Sequence, residues 1–369
     1  LNSMEEVYEK YAANEREYDG GILADLKHPV EVIGIDLNGE IKHANAQHLF
    51  KEKVSELVEI QTNRGNTLQL TEQHPLLTLT PEGIQWKSSG LLNEGDYIGA
   101  PAGIENVGKE NLTTDEAYFL GLFVAEGTSN PFSITIYDKK TLKWLKEFVQ
   151  TKFRYTPMVY DDRKLIVFQK PTREWMGKLA HTNSYTKFVP EMVLQSNDSG
   201  ISAFLRGYID GDGEANNVIA TSTRSKQLNT QLSYLFARIG IQVSQRVHTI
   251  KKKPHYMTYV TDTKSKQKVK EILQKSHLKP NTSLNPENIG THYGIPTHAI
   301  DAIIKRIYSK LSGSRRRTNQ WSKKTFLAGK YNSIWLSFFA TKRKSMGTSE
   351  EIVQKIMGFF DIRLKEIGQ

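Results

Sequence analysis

The alternation of hydrophobic and polar residues changes its character several times along the chain. Near the N-terminus, apolar residues recur at helical spacing from Met4 to Tyr11, which predicts a short helix over residues 1–18. From Val30 to Pro101 the pattern becomes a series of short alternating runs separated by turn sequences rich in Gly, Asn and Pro. We therefore predict one helix followed by an all-β stretch.

Residues 115–285 repeat one order of elements after a polar linker over residues 102–114. Each copy opens with an apolar helix that ends in an acid and a glycine, at Glu126-Gly127 and at Asp212-Gly213. Strands, a second helix, two further strands and a third helix follow in both copies. The sequence therefore predicts two αββαββα copies that share pattern more than identity.

A third region is strongly basic and rich in aromatic residues. Between Lys305 and Lys344 the sequence has 12 Lys and Arg residues, seven aromatic residues and no Asp or Glu. Because a disordered basic tail rarely contains so many aromatic residues, we predict a small folded core here. The last segment, residues 350–367, returns to a mixed amphipathic pattern.

The charge is unevenly distributed. Residues 1–100 have 8 Lys and Arg against 17 Asp and Glu, whereas residues 101–369 have 42 against 23. A basic region of this size favours a nucleic-acid partner, and a solvated lysine-rich surface is the alternative. No apolar run approaches the roughly 20 residues of a membrane helix, so we expect no membrane association and a cytoplasmic location. The absence of Cys excludes disulfides, thiolate zinc sites and cysteine nucleophiles.

Small residues line one face of each opening helix. The small residues of each helix are spaced by four: Gly121 with Ala125, and Gly207 with Gly211. Residues four apart share a helical face, so the two helices can pack closely through these faces. Such packing would bring Glu126 and Asp212 together, and the glycine after each acid can adopt a positive φ that ends the helix.

Two neighbouring carboxylates at helix C-termini form an unfavourable arrangement. They repel one another, and each lies at the negative end of a helix dipole. A divalent cation would relieve the repulsion, and oxygen ligands shared with substrate phosphates suit Mg²⁺. The alternative is that Glu126 and Asp212 are exposed acids without a function.

The two motifs resemble the paired LAGLIDADG signatures of single-chain homing endonucleases. They read Leu120–Gly127 and Leu205–Gly213, and the metal-binding acids of the family fall on Glu126 and Asp212. Val124 departs from the signature, because the family has its first Asp there. The resemblance covers about residues 115–285. It implies a monomer with internal pseudo-two-fold symmetry that cleaves both strands of a long asymmetric double-stranded DNA site with Mg²⁺, using two or more ions.

The resemblance also implies basic and acidic residues beside the two metal-binding acids. Lys187 matches the lysine that commonly precedes a Val-Pro pair, here Val189-Pro190. For the second copy we choose Lys279, with Lys251, Lys252 and Lys253 as competitors. Asp138 resembles an additional acid near the active site of some members. For each residue the alternative is an ordinary surface position.

The acidic N-terminal region resembles the Hint fold of inteins. Thr71 and His74 lie in a Thr-x-x-His motif before Pro75, matching the intein block that activates the upstream scissile peptide. Splicing needs a Cys or Ser at the first residue and a closing Asn, whereas this sequence starts with Leu1 and stops at Gln369. We therefore expect the chain as written not to splice. The ends could have been removed, left out or lost by decay.

Together, these patterns predict an α+β multidomain protein, and the two resemblances imply an archaeal-type intein that carries a homing endonuclease. The predicted domains are a Hint-like part (1–107), the endonuclease (108–288), a basic accessory DNA-binding domain (289–345) and a return to the Hint-like part (346–369). The predicted DNA-contacting residues are Arg315, Arg316, Arg317, Lys323, Lys324, Lys251, Lys252 and Lys253. Two alternatives stay open: a maturase-like protein that binds DNA or RNA without cutting, and a protein whose main activity is self-splicing.

Overall fold

The computed structural model describes residues 4–36, 41–80, 83–100, 103–104, 108, 112–160, 165–177, 183–214, 219–260 and 262–275. These residues divide into two compact units. The first unit contains the described residues within Leu1–Gln61 and Thr67–Ala100, and the second contains those within Thr62–Asn66 and Pro101–Thr291. The four domain boundaries that we derive from the sequence stay predictions.

The first unit consists mainly of antiparallel strands. Its elements are α1 (Met4–Tyr11), β1 (Ala12–Tyr18), β2 (Gly21–Ile35), β3 (Ile41–Lys51), β4 (Val58–Gln61), β5 (Thr67–Leu70), β6 (Pro75–Thr80), β7 (Gly83–Ser88), a 3-10 turn (Ser89–Leu91) and β8 (Tyr97–Ile98). They form one sheet in the order β1-β2-β3, one in the order β7-β6-β8, and the hairpin β4-β5. The predicted all-β stretch is present.

The predicted N-terminal helix is shorter than expected. It ends at Tyr11, and Ala12–Tyr18 forms a strand that pairs with β2. The reason is the turn at Asp19-Gly20, where both residues have positive φ (47° and 74°) and reverse the chain into a hairpin. The extension of the predicted helix beyond Tyr11 is therefore wrong, because these residues pair with β2.

The second unit contains both predicted copies. The first copy is α2 (Thr114–Glu126), β9 (Gly127–Ser129), β10 (Phe132–Thr135), α3 (Lys139–Phe153), β11 (Met158–Tyr160), β12 (Leu165–Val167) and α4 (Lys170–Met176). A short helix α5 (Glu191–Leu194) follows. The second copy is α6 (Asp198–Asp212), β13 (Gly213–Glu214), β14 (Ile219–Thr223), α7 (Lys226–Arg238), β15 (Val243–Ile250), β16 (Lys253–Val260) and α8 (Thr263–Leu273). Both copies have the predicted αββαββα order.

The two copies also share their strand topology. The sheets run β11-β12-β10-β9 and β13-β14-β16-β15, so in each copy the fourth strand pairs with both the second and the third. All these pairs are antiparallel. The short strands β9 and β13, which begin at the glycine after each acid, are not apparent from hydrophobic alternation because each has only two or three residues.

One apolar core holds the second unit together. The helices α2 and α6 are buried over most of their lengths, and apolar residues of α3, α7 and the sheets pack around them. In the described part of the chain, eight helices and several small sheets thus form a mixed α/β fold. None of these helices is both long and apolar enough to span a membrane.

The start of α2 is fixed by a capping box. The Thr113 Oγ1 accepts from the Glu116 N–H at 3.2 Å, and the Glu116 carboxylate accepts from the Thr113 N–H at 2.8 Å. Burial alone would raise the pKa of Glu116, but hydrogen bonds from Lys152 and Thr113 outweigh it and lower the pKa. These two reciprocal bonds fix the first turn of α2.

Removing this cap is expected to destabilise the second unit moderately. The variant Thr113→Ala should lower the free energy of unfolding by about 1 kcal/mol, because it leaves the Glu116 N–H without its side-chain acceptor. Chemical denaturation followed by circular dichroism measures the change. A stability equal to the unchanged protein would contradict the capping role.

Candidate active site

The helices α2 and α6 lie side by side through their small residues. A Cβ atom added to Gly121 would come within 2.1 Å of the Phe204 carbonyl oxygen, and one added to Gly207 within 2.2 Å of the Tyr118 carbonyl oxygen. A Cβ on Gly211 would lie 2.4 Å from the Ala125 Cβ. Only small residues permit this backbone-to-backbone contact, which is the packing that the spacing of four predicts.

A buried polar pair joins the two helices on one side only. The Tyr118 hydroxyl donates to the Asp210 carboxylate at 2.6 Å, and both residues are at most 3% exposed. The corresponding positions with the copies exchanged are Phe204 and Val124, which are both apolar and buried. The departure of Val124 from the LAGLIDADG signature therefore coincides with an apolar residue opposite it.

Loss of the Tyr118 hydroxyl is expected to be costly. In Tyr118→Phe the buried Asp210 carboxylate loses a hydrogen bond, and such bonds to charged groups contribute about 1.5–3 kcal/mol. We expect the free energy of unfolding to fall by an amount in that range. Tyr137→Phe is the control, since Tyr137 is 80% exposed. Equal stabilities of the two variants would contradict the importance of this bond.

The two acids lie at the adjacent C-terminal ends of the helix pair. Glu126 is half-buried, and its Cγ atom lies 3.1 Å from the position that a Cβ on Gly211 would take. Asp212 follows Gly211 directly and ends α6. The last carbonyl groups of both helices face the same end, so the helix dipoles add to the negative potential of the carboxylates.

The glycines after the acids end the helices differently from the prediction. Gly127 and Gly213 have φ of −78° and −97° with extended ψ, so neither uses a left-handed conformation. Instead each backbone turns at once into a strand and passes close to the preceding turn of its helix. A Cβ would lie 2.3 Å from the Phe123 carbonyl oxygen at Gly127, and 2.7 Å from Ile209 atoms at Gly213. Close approach, not positive φ, is why these positions need glycine.

Lys187 lies beside both acids. Its Nζ donates to the Ala125 carbonyl oxygen at 2.5 Å, one residue before Glu126. Burial lowers the pKa of Lys187, while the charges of Asp212 and Glu126 counteract part of that effect. The backbone of Lys187 is held in turn by the Ser225 hydroxyl, which donates to the Lys187 carbonyl at 2.6 Å. The structure thus brings together three of the predicted site residues.

Tyr208 is a further residue close to the two acids, and the sequence patterns above do not indicate it. Its side chain is fully buried on α6, one helical turn before Asp212. Burial raises the pKa of its hydroxyl, and the negative charges of Asp212 and Glu126 raise it further. The signal in the sequence for this proximity is the spacing of four between Tyr208 and Asp212, because residues i and i+4 share a helical face.

The carboxylate pair fits a hard divalent cation that keeps part of its hydration shell. Glu126 and Asp212 offer oxygen ligands, which Mg²⁺ prefers, and such a site is completed by water and substrate phosphate. Among the described residues, no group of three or more His, Asp or Glu side chains could enclose a metal ion. Two carboxylates at the ends of adjacent helices can supply part of the oxygen ligand set of such a cation.

Asp138 is the N-cap of α3. Its carboxylate accepts from the Thr141 N–H at 2.7 Å and from the Thr141 hydroxyl at 3.0 Å. The bond from the Thr141 N–H lowers the pKa of Asp138. The predicted role of Asp138 as an additional acid near the active site stays a prediction.

The splicing-block residues lie in the first unit. Thr71 and His74 occupy a tight turn before β6, in which the His74 N–H donates to the Thr71 carbonyl at 3.0 Å. The buried Ser89 hydroxyl donates to the same carbonyl at 2.6 Å. The turn thus brings the two residues together, and their role in splicing stays a prediction.

Three of the remaining predicted residues are exposed, and the others lie outside the described part of the chain. Lys251 and Lys252 form the two-residue turn between β15 and β16, and Lys253 begins β16; all three are exposed. The predicted residues outside the described part of the chain are Lys279, Arg315, Arg316, Arg317, Lys323 and Lys324.

A family model matches the second copy of the chain. Residues 199–274, which comprise most of the second copy, match the family model described as a LAGLIDADG-like domain. This match confirms the predicted resemblance for the second copy. The matched residues include Asp212 and the β15–β16 hairpin.

Curated relatives of this chain have diverse names. A replication factor C small subunit from Methanocaldococcus jannaschii is 29% identical over 259 residues, covering 66% of this chain and 14% of the relative. An A-type ATP synthase subunit from Pyrococcus abyssi is 26% identical over 278 residues, covering 66% and 27%. A replicative DNA helicase DnaB from Rhodothermus marinus is 25% identical over 228 residues, covering 54% and 24%. The chain thus spans less than a third of the length of these relatives.

Two kinds of solved structure are similar to the chain. One is the TvoVMA intein, with 27% identity, a TM-score of 0.24, and coverage of 26% of this chain and 58% of the intein. The other is I-DmoI in complex with DNA and Mn, with 16% identity, a TM-score of 0.35, and coverage of 46% of this chain and 100% of I-DmoI. A related I-DmoI structure, described as a homing endonuclease, has 17% identity and a TM-score of 0.34, with coverage of 47% of this chain and 94% of I-DmoI.

Proposed function

We propose that the chain is a homing endonuclease carried within an intein. In this proposal it hydrolyses one phosphodiester on each strand of a long asymmetric DNA site, with a divalent cation. The observation that carries the proposal is the junction of α2 and α6, where Glu126, Asp212 and the half-buried Lys187 meet. Two acids and a lysine at the end of a pseudo-symmetric helix pair suit phosphodiester hydrolysis.

The chemistry divides among these groups. Glu126 and Asp212 would hold the cation. We propose that the cation is Mg²⁺ and that two or more ions bind. A cation bound there activates water and neutralises charge on the leaving oxygen. Lys187, anchored on the Ala125 carbonyl, holds a positive charge where the scissile phosphate would approach. Burial removes competing water from this lysine, which strengthens its interaction with a phosphate.

The second sheet offers a surface suited to DNA. Side chains alternate along β15 and β16, and those that face α7 include Gln245 and Thr258, which bond to helix residues. The opposite face includes the basic and aromatic side chains of Arg246, His248, Lys253, His255 and Tyr259. Such a face can contact base edges and phosphates in the major groove.

The names of the relatives support an insertion within other proteins. The chain matches 14% to 32% of the length of relatives named for replication factor C, an ATP synthase and a DNA helicase, among others. These names denote different activities, so a segment common to all of them has a separate origin. An intein inserted into each would produce this distribution. The Hint-like assignment of residues 1–107 and 346–369 and the DNA-binding role of residues 289–345 belong to the same proposal.

A cleavage assay tests the proposal directly. The substrate is a plasmid carrying the junction that forms when this chain's coding sequence is removed from its gene. We expect linear product in the presence of Mg²⁺ and intact plasmid with EDTA. Retention of the plasmid without cutting would favour the non-cleaving maturase-like alternative. Spliced product from a longer chain with flanking residues, detected by mass, would favour self-splicing as the main activity.

The turn between β15 and β16 provides a further test of DNA binding. Lys251 and Lys252 have φ of 50° and 62°, a conformation that favours Asn and Gly at a two-residue hairpin turn. The double variant Lys251→Asn with Lys252→Gly should therefore raise the thermal midpoint. If the lysines contact phosphates, it should also reduce the slope of log affinity against log salt by about 0.9 per lost contact.

The matched control removes two exposed lysines elsewhere. Lys143→Gln with Lys170→Gln changes the net charge equally on α3 and α4, where the two side chains are 79% and 82% exposed. We expect the control to keep the salt slope of the unchanged protein. An equal slope in both double variants would contradict phosphate contact by the turn.

A further inference from the structure

The edge strand of the second sheet is covered by a turn that is distant in sequence. The turn Thr62–Asn66 belongs to the second unit, and its Arg64 carbonyl accepts from the Gln245 N–H at 2.6 Å. Gly65 has φ of 85° and passes so close to β15 that a Cβ would lie 2.0 Å from the Gln245 carbonyl oxygen. Edge strands expose unpaired backbone groups, and this turn satisfies one of them.

The Thr62–Asn66 turn is well ordered by its own hydrogen bonds and packs against β15. Its own backbone is closed by bonds from the Thr62 N–H to the Asn66 carbonyl at 2.8 Å and from the Gly65 N–H to the Thr62 carbonyl at 2.9 Å. Burial lowers the pKa of Arg64 to about 10, although the charge of Asp262 opposes the shift. The turn therefore has a defined place against β15 and the start of α8.

The packed turn orients the guanidinium group of Arg246. One terminal nitrogen donates to the Asn63 carbonyl at 3.0 Å, and the other donates to the Gln245 carbonyl at 2.9 Å. Arg246 is exposed, and no carboxylate among the described residues forms an ion pair with it. Two of its five N–H donors are thus used for orientation, and the others stay available to an anion.

A positive charge held by carbonyl groups suits a phosphate ligand. An acid partner would neutralise Arg246, whereas the two carbonyls orient the guanidinium and keep its full charge. Orientation before binding reduces the side-chain entropy that is lost when the ligand arrives. Basic neighbours on the same face, His248 and Lys253, indicate a polyanion rather than a single small anion.

We infer that Arg246 contacts a phosphate of the DNA backbone and that the Thr62–Asn66 turn is its positioning element. The inference rests on the proposed DNA-binding function. It assigns to residues 62–66 a part in DNA binding, although the sequence alone assigns them to the Hint-like region. Gly65 is the residue through which the turn can be removed, since any side chain there meets β15.

A double-mutant cycle tests the inference. Affinity for a fluorescent DNA duplex of arbitrary sequence is measured by anisotropy at about 50 to 200 mM salt, a range over which phosphate contacts change affinity strongly. Arg246→Ala should weaken binding several-fold and reduce the log–log salt slope by about 0.9. Gly65→Val should also weaken binding, but it should have no further effect in the Arg246→Ala background.

Two more variants keep the test decisive. Arg246→Lys keeps the charge but lacks the fork that joins two carbonyls, so Gly65→Val should have little effect in that background as well. Gly34→Val is the control for a new side chain on a glycine, because a Cβ there meets nothing within 4 Å. Circular dichroism of every variant verifies the fold.

Three results would overturn the inference. They are an unchanged salt slope in Arg246→Ala, unchanged affinity in folded Gly65→Val, and a loss from Gly65→Val that persists without Arg246. Failure of the proposed function has a different signature, in which the unchanged protein neither binds the duplex nor cuts the predicted junction.

Discussion

Replacing Gly207 with Val is expected to disrupt the pairing of α2 and α6 and with it the folded second unit. A Cβ at this position would lie 2.2 Å from the Tyr118 carbonyl oxygen and 3.1 Å from the Leu122 nitrogen. Both are backbone atoms of a buried helix, so neither can move aside as a flexible side chain could. The helices would have to separate, and the core between them would lose its packing.

The graded variant Gly207→Ala gives a measurable free energy. Alanine favours the helix by about 1 kcal/mol over glycine, but overpacking of a core costs about 1–3 kcal/mol and sometimes more. Because the clash is with backbone, we expect a net loss of stability in chemical denaturation. Gly34→Ala is the control, since its Cβ would meet no atom within 4 Å. A gain of stability in Gly207→Ala would contradict the close helix contact.

Replacing Asp212 with Asn is expected to abolish DNA cleavage while DNA binding is kept. The change preserves the size of the side chain and removes one negatively charged oxygen ligand from the proposed cation site. A bound metal lowers the activation barrier by several kcal/mol. Loss of this assistance should reduce the cleavage rate by about 10³-fold. Affinity for DNA should stay equal or rise slightly, because a charge that repels phosphate is lost.

The matched control makes the same chemical change far from the acids. Glu147→Gln also converts a carboxylate to an amide, on α3, where the side chain is 64% exposed. We expect this variant to cut DNA at the unchanged rate. Cleavage by Asp212→Asn at a rate close to that of Glu147→Gln would rule out Asp212 as a cation ligand.

The sequence predicts the central features of the fold because they depend on local spacing. Gly121 with Ala125, and Gly207 with Gly211, indicate a close helix pair, and the structure has that pair. Both copies also have the αββαββα order that the sequence predicts. Periodicity and small-residue spacing are properties of single segments, so a single sequence contains them.

Features that depend on tertiary contact are not predictable in this way. The strand Ala12–Tyr18 forms because β2 is available as a partner, and nothing in its own spacing indicates this. The capping contact of Asp138 with Thr141 is seen only in the structure, and the predicted role of Asp138 near the active site stays a prediction. Arg246 is one of many basic residues in the sequence, and only the structure shows that its guanidinium donates to the Asn63 carbonyl.

Manganese binding is a decisive test of the proposed cation site. Crystals of the chain soaked in Mn²⁺ would be measured at the manganese absorption edge, in parallel with crystals of Asp212→Asn. We predict an anomalous peak within ligand distance of the Glu126 and Asp212 carboxylates, which is weakened or lost in the variant. Anomalous peaks only elsewhere on the protein, or an equal peak in the variant, would contradict it.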